Sequence, residues 1–240
     1  MTVVLAGLAA FVAAVIQRIT GLGFVLVLVG PIVLLYGPVE GITIAVILAL
    51  IASLVAIPLV WRRIDWRRTW WLVWPGLLAA PFGVLVVRLL PEAALLLLIA
   101  AMAYLALVAG HLPALSASLT GRTGAVIAGS AAGFMNAASG LGGPPLAAYA
   151  VGDRWAQVRF AASAQVIFVA LDIASVALRG LPAVPLEDLG ALALATVAGI
   201  AIGTILARNV SPRIARAAML VLAWAGATVV LGGGILALLV

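Results

Sequence analysis

The chain has 240 residues, of which 67% are hydrophobic and 8% are charged, and its mean hydropathy is +1.35. Soluble domains are about half apolar and a quarter charged, so the composition indicates a polytopic membrane protein and leaves no room within these residues for a soluble catalytic domain. The formal net charge of +6 comes from arginines, most of them in short loops, and such loops mark the cytoplasmic side of membrane proteins rather than a nucleic-acid site. The absence of cysteine excludes disulfides and thiolate metal ligands, and no cofactor or metal site is predicted.

The first two apolar segments, 3–17 and 24–36, are separated by the break Gln17-Arg18-Ile19-Thr20-Gly21-Leu22-Gly23. Each arm has about 15 residues, or about 22 Å of helix, which is short for a hydrocarbon core of about 30 Å. The first arm has no basic residue ahead of it, so it is expected to be a membrane segment and not a cleaved signal peptide. The pair is therefore predicted to form a broken helical hairpin that starts and ends on one side of the membrane.

A full span is predicted at 39–60, followed by a loop at 61–71 with four arginines among four tryptophans. This composition is typical of a cytoplasmic loop edged by an interfacial aromatic belt. A lipid-binding role for the arginines is an alternative, but orientation of the protein is the simpler explanation. Two further spans are predicted at 72–87 and 93–109.

The second half repeats this order of elements. A linker at 111–123, in which His111 is given no function, leads to short arms at 124–135 and 146–151 around the motif Asn136-Ala137-Ala138-Ser139-Gly140-Leu141-Gly142-Gly143-Pro144-Pro145. Spans then follow at 156–178, 189–207 and 214–239. One transmembrane domain is predicted, with a first repeat at 1–110, the linker at 111–123 and a second repeat at 124–240.

The two breaks match in sequence. Thr20-Gly21-Leu22-Gly23 aligns with Ser139-Gly140-Leu141-Gly142, and the same spacing of 119 positions places Gln17 on Asn136. The basic loops fall at different places in the two halves, so equivalent loops should face opposite sides of the membrane. The predicted fold is an all-α polytopic membrane protein with an inverted repeat, each half a broken hairpin plus three transmembrane helices. The first hairpin would open to the exterior and the second to the cytoplasm, with both termini external.

Paired helix breaks within an inverted repeat are typical of secondary transporters, which hold substrate where the breaks meet. The helix that begins after each break has N–H groups without partners, and these donors and the helix dipole suit an anion. Neither break contains a carboxylate, so an anion is favoured over a cation, and a tetrahedral oxyanion such as sulfite or a sulfonate would suit several converging donors. The predicted substrate-binding residues are Gln17, Arg18, Thr20, Gly21, Gly23, Asn136, Ser139, Gly140, Gly142 and Gly143.

Two charged residues in apolar surroundings each have two interpretations. An arginine at depth costs about 2.5–3.5 kcal/mol, so Arg18 is either an anion ligand or a side chain that reaches water from a re-entrant tip. Asp172 lies mid-span and shares a helix face with Gln165 and Arg179, each seven residues away. It is either a proton carrier or gate, or a structural polar contact. The repeat places Ser53 at the equivalent position, so the carboxylate is not duplicated.

The two glycine motifs resemble those of the sulfite exporter TauE/SafE family of membrane permeases, and the resemblance covers essentially the whole chain. It implies export of sulfite or small organosulfonates, coupled to the proton gradient. It also implies that substrate lies between 17–23 and 136–144, which adds Pro144 to the predicted site. Family members differ in substrate, and the resemblance does not extend to Arg18, whose ligand role rests only on the physical argument.

A passive anion channel that uses the same site is the alternative function. An intramembrane enzyme is disfavoured, because the chain has one histidine in a linker, no cysteine and a solitary mid-span aspartate. The predicted location is the plasma or inner membrane, with the 61–71 loop cytoplasmic. The predicted partners are a small anion, co- or counter-transported protons and the lipid bilayer, with no nucleic acid and with homo-oligomerisation left open.

Overall fold

The computed structural model describes residues 1–21, 23–109, 113–207 and 209–239, and this part of the chain contains helices and connecting segments but no strand. A 3-10 turn lies at Trp61–Arg63. The α-helices are α1 (Thr2–Thr20), α2 (Phe24–Tyr36), α3 (Pro38–Val60), α4 (Trp66–Leu89), α5 (Glu92–Ala109), α6 (Pro113–Ser118), α7 (Gly121–Ser139), α8 (Gly143–Gly152), α9 (Gln157–Arg179), α10 (Leu186–Leu206) and α11 (Pro212–Leu239).

Within the described ranges, six helical segments are long and apolar enough to cross a membrane, and the chain is an integral multi-pass membrane protein. Two shorter apolar helices, Phe24–Tyr36 and Glu92–Val108, accompany them. The six segments are Thr2–Thr20, Pro38–Arg63, Trp66–Leu89, Gln157–Arg179, Leu186–Leu206 and Arg213–Leu239.

Three of the four arms around the breaks are longer than predicted, whereas α2 (Phe24–Tyr36) has the predicted bounds. The first arm of each pair is a 19-residue helix, whereas α2 has 13 residues and α8 has 10. The first arms do not end at Gln17 and Asn136. Each helix continues for three more residues, to Thr20 or Ser139, and is then capped by a glycine. Each pair is therefore a long helix followed by a short one.

The predicted linker also differs from the structure. Within it lies the short helix α6, and α7 begins at Gly121, three residues before the predicted second repeat. His111 and Arg208, an arginine of a basic loop in the second half, lie outside the described residues.

Contacts at helix ends determine the relative direction of equivalent helices. The amide of Ala183, just after α9, donates to Glu40 at the start of α3 (2.9 Å). The amide of Asp65, just after α3, donates to the hydroxyl of Ser163 at the start of α9 (2.9 Å). Equivalent helices α3 and α9 therefore run antiparallel, as an inverted repeat requires. The inversion relative to a membrane remains a prediction, which these directions support.

The long first arms are exchanged between the halves. Helix α1 packs along α10, with Gly199 beside Phe11, and α7 packs along α4, with Gly129 beside Leu72. Residue numbers rise together along both contacts, so each exchanged pair is parallel. The connections then bring 61–68, 121–122, 153–159 and 213–216 to one end of the bundle, which we call the basic face. The segments at 37–40, 88–92 and 180–188 form the opposite face.

Glycines permit the close approach of α4 and α7. A Cβ built on Gly133 would overlap the backbone carbonyl of Gly76, and one built on Gly129 would overlap that of Leu72. In lipid no hydrophobic force drives helices together. Close packing of their backbones does so instead, and small residues allow that contact. The α4–α7 contact positions the second break.

We expect Gly133→Ala to destabilise the protein by about 1–3 kcal/mol, because the added methyl group has no space against Gly76. The matched control is Gly190→Ala, where a Cβ on a helix of similar length meets no atom within 4 Å. Thermal unfolding in detergent, followed by tryptophan fluorescence, measures both. Equal unfolding temperatures for the two variants would contradict the close packing.

Candidate functional site

The two helix breaks have the same backbone geometry. Gly21 ends α1 in the left-handed conformation (φ 85°, ψ −14°), and its amide donates to the carbonyl of Gln17 (2.7 Å). Gly140 ends α7 in the same way (φ 76°, ψ −2°), and its amide donates to the carbonyl of Asn136 (2.8 Å). A positive φ favours glycine, which has no Cβ to clash with the backbone. The residues that align in sequence thus hold equivalent positions in the structure.

The paired hydroxyls also behave alike. Thr20 donates to the carbonyl of Ile16 (2.8 Å), and Ser139 donates to the carbonyl of Met135 (2.9 Å). The Ser139 oxygen in turn accepts from the amide of Leu141 (3.4 Å). In this conformation both hydroxyl protons are used within their own helix, so either hydroxyl would have to rotate to donate to an anion.

Gln17 and Arg18 lie at the first break in different environments. The side-chain oxygen of Gln17 is buried and has no hydrogen-bond partner among the described residues. Arg18 points to α10, where its Nε donates to the hydroxyl of Thr204 (2.8 Å). The sequence left Arg18 as either an anion ligand or a side chain that reaches water, and in the structure it contacts a neighbouring helix.

The second break contains a buried polar cluster. Asn136 and Asp172 are 2% and 1% exposed, and Asn136 Nδ2 donates to Asp172 Oδ1 (2.9 Å) and towards Ser175 Oγ (3.3 Å). The second carboxylate oxygen, Oδ2, is buried with no partner in the described part of the chain. A buried carboxylate without a cation beside it is costly as an anion. The cluster is therefore suited to exchange a proton or to receive a hydrogen-bond donor.

One face of α9 passes both breaks. Gly21 lies beside Ala161, whose carbonyl accepts from Gln165 Nε2 (3.4 Å), and Gly143 lies beside Phe168. Asp172 follows on the same face, as its spacing predicted. The side-chain oxygen of Gln165 is another buried acceptor with no partner among the described residues. One face of α9 therefore contacts both breaks and carries the buried polar side chains Gln165 and Asp172.

The second break also packs directly against the first pair. A Cβ on Gly140 would lie 2.8 Å from a methyl of Val25, in the first turn of α2. The start of α8 has few donors, because Pro144 and Pro145 lack an N–H. Only Gly143 and Leu146 supply amides in its first turn. Pro144 can shape a binding site but cannot donate to an anion.

Arg179 belongs to this region although it was not among the predicted binding residues. Its Nη2 donates to the carbonyl of Ala137 in the last turn of α7, and its Nε is buried without a partner in the described residues. Arg88 lies nearby and donates to the carbonyl of Leu178 (2.6 Å). The seven-residue spacing from Asp172 was the only sequence signal for Arg179.

In the ranges that the structure describes, no group of three or more histidine or acidic side chains is placed to hold a metal ion. The apolar helices, the two interrupted pairs and the buried polar cluster define an α-helical polytopic membrane protein. The profile of the sulfite exporter TauE/SafE family matches residues 6–230, so the chain belongs to that family of membrane transporters. Searches of curated proteins and of solved structures found no match.

We expect Asn136→Ala to destabilise the protein by about 1–3 kcal/mol, because it removes the recorded partner of Asp172. In an Asp172→Ala background the same change should cost much less, because the carboxylate is gone. Thermal unfolding of the two single variants and the double variant gives the coupling free energy. Strictly additive effects would contradict the interaction.

Proposed function

We propose that the protein is a proton-coupled secondary transporter that exports a small sulfur-containing anion, such as sulfite or an organosulfonate. The observation that carries the proposal is the buried Asn136–Asp172 pair at the end of an interrupted helix, in a chain of the sulfite exporter family. Substrate would bind between the breaks, at 17–23 and 136–144. Asp172 would carry the proton.

The chemistry of the cluster supports coupling between proton and anion. An ionised Asp172 repels an oxyanion, whereas the protonated carboxyl removes that repulsion and offers an O–H donor. Asp172 Oδ2 is the oxygen without a partner in the described residues, so it is the atom on which such a proton would lie. The anion and the proton would therefore favour each other's binding and would move in the same direction, so export would be driven by the outward gradient of the anion and would work against an inward proton gradient.

Other residues of the proposed site have distinct roles. Gln17 would offer a side-chain amide, whereas Asn136 would have to release Asp172 or Ser175 to donate to the anion. Gly21, Gly23, Gly140, Gly142 and Gly143 would let backbone amides approach the anion. Arg18 would need to release Thr204 to contribute, as Thr20 and Ser139 would need to rotate. Arg179, which donates to the carbonyl of Ala137 and whose Nε has no partner in the described residues, is added as a cation near the second break.

The orientation is also a proposal. The basic face carries Arg62, Arg63, Arg67 and Arg68, and also Arg122, Arg154, Arg159, Arg213 and Arg216, whereas the opposite face has Arg88 and Arg179. The bias of arginine to one face supports a cytoplasmic basic face and external termini in the plasma or inner membrane.

Cysteine labelling tests this orientation cleanly, because the chain has no native cysteine. A membrane-impermeant maleimide added to intact cells should label Leu181→Cys, at a residue that is 75% exposed, and should leave Arg62→Cys unlabelled until the membrane is opened. The reverse labelling pattern would show that the protein has the opposite orientation in the membrane. Labelling of both from outside would contradict the opposite placement of these loops.

The transport proposal predicts pH-dependent binding and flux in proteoliposomes. Methanesulfonate is a suitable probe, because it stays ionised across the pH range, and sulfite is the second probe. The affinity should fall as pH rises through the titration of Asp172, by a factor of about 5 to 150, which corresponds to a coupling of 1–3 kcal/mol. Asp172→Asn should retain binding, lose this pH dependence and lose flux driven by a pH gradient.

Glu187→Gln is the matched control, because it removes an exposed carboxylate on the opposite face. It should behave as the unmodified protein. Failure of correctly folded protein to bind either probe would refute the substrate class. Rapid, non-saturating flux without accumulation under a pH gradient would favour the passive channel, and unchanged pH dependence in Asp172→Asn would remove that residue from the mechanism.

A further inference from the structure

A cavity of about 380 Å³ lies on the basic face, and none of the residues proposed to bind the transported substrate lines it. It is formed where the ends of four helices meet: the starts of α4, α7 and α9 and the end of α8. Its lining combines four arginines with two aspartates and two aromatic rings. The residues are Asp65, Arg67, Arg68, Trp71, Gly121, Arg122, Ala125, Tyr149, Asp153 and Arg159.

The two aspartates are already engaged in structural contacts. Asp65 caps α4 by accepting from the amide of Arg68 (3.2 Å), and Asp153 accepts from the amide of Gly121 at the start of α7 (3.0 Å). Arg68 forms an ion pair with Asp153 (2.8 Å) and lies 4.0 Å from Asp65. The two carboxylates therefore neutralise the positive charge of Arg68 and the partial positive charges of two helix N-termini. They leave little negative charge for the rest of the cavity.

Three other arginines retain their charge. In the described chain, Arg67, Arg122 and Arg159 form no ion pair with a carboxylate, and all three are exposed. The guanidinium of Arg122 lies 5.3 Å from the ring centre of Trp71, a cation–π contact that orients its planar donors. Arginine donors of this kind bind phosphate oxygens in pairs. The cavity is thus a cationic site for a phosphate-like group.

An apolar surface continues from this cavity. Trp71 also lines a second pocket of about 190 Å³ with Trp70, Trp74 and Pro75, and the rings of Trp70 and Trp74 stack with centres 6.0 Å apart. The three tryptophans are 50%, 41% and 61% exposed in chain order. Tryptophans near the end of a transmembrane helix lie at the level of the lipid headgroups. A ligand that fills both pockets must have an anionic head and an apolar tail.

We propose that the two pockets bind one anionic phospholipid on the basic face. Its phosphodiester would contact Arg122 and Arg159, with Arg67 beside them, and an acyl chain would lie along the tryptophan pocket. Basic pockets between transmembrane helices bind anionic lipid headgroups in this way. The adjoining apolar pocket favours a lipid over a free small anion, which has nothing to place there. The inference does not depend on the transported substrate.

Native mass spectrometry of the full chain in detergent, titrated with phosphatidylglycerol or phosphatidylcholine, tests the proposal. The double variant Arg122→Gln, Arg159→Gln should bind phosphatidylglycerol about tenfold more weakly, with little change for phosphatidylcholine. The matched control is Arg213→Gln, Arg216→Gln, which removes the same charge from exposed positions on the same face but outside the cavity. This control should keep the lipid preference.

Equal losses in the two double variants would overturn the proposal, because they would indicate a general charge effect. Displacement of phosphatidylglycerol by inorganic phosphate or sulfite at equal concentration would also overturn it, in favour of a small-anion site. If the glutamine variant does not fold, Arg122→Lys, Arg159→Lys keeps the charge while losing the paired donors. That variant should show intermediate affinity, and unchanged affinity would contradict the assigned arginine contacts.

Discussion

A helix that ends within an apolar helical bundle leaves backbone carbonyls without partners, and the surrounding apolar side chains supply no hydrogen bond to replace them. At both breaks the chain meets this constraint with a left-handed glycine, whose amide returns to the carbonyl of Gln17 or Asn136. The surrounding helices then cover the break: Ala161 of α9 lies beside Gly21, and Val25 of α2 lies beside Gly140. The neighbouring helices thus pack around the two points where the regular helical backbone ends.

Much of this architecture could be predicted from the sequence. Glycine and proline in apolar surroundings indicate a break, because a continuing helix would lose backbone bonds there, and the 119-residue spacing anticipated the matching caps. The lengths of the other three arms could not be predicted as that of α2 was, because hydropathy does not separate a polar helix end from a loop. Helix α7 begins at Gly121 beside Arg122, in residues polar enough to be interpreted as a linker.

The candidate site was predicted less completely, for a physical reason. Periodicity placed Asp172 and Arg179 on one face of a helix, but it carries no information about which helix that face meets. The contact of Asp172 with Asn136, like that of Arg179 with Ala137, arises from packing between α9 and α7. The same limit applies to Arg18, whose recorded partner Thr204 lies 186 positions away. The breaks also differ: Asn136 and Ser139 are fully buried, whereas Gln17 and Thr20 are only partly buried.

The exchange of α1 and α7 between the halves has a consequence for how the chain assembles. During synthesis α1 is complete long before α10, which begins at Leu186, so its main packing surface must wait for most of the chain. Helix α7, in contrast, finds α4 already made. Contacts between distant parts of a chain form slowly, because a large loop must close first. Helix α1 is therefore expected to reach its final packing late, although it is made first. The carboxyl-terminal helices complete the fold by packing against it.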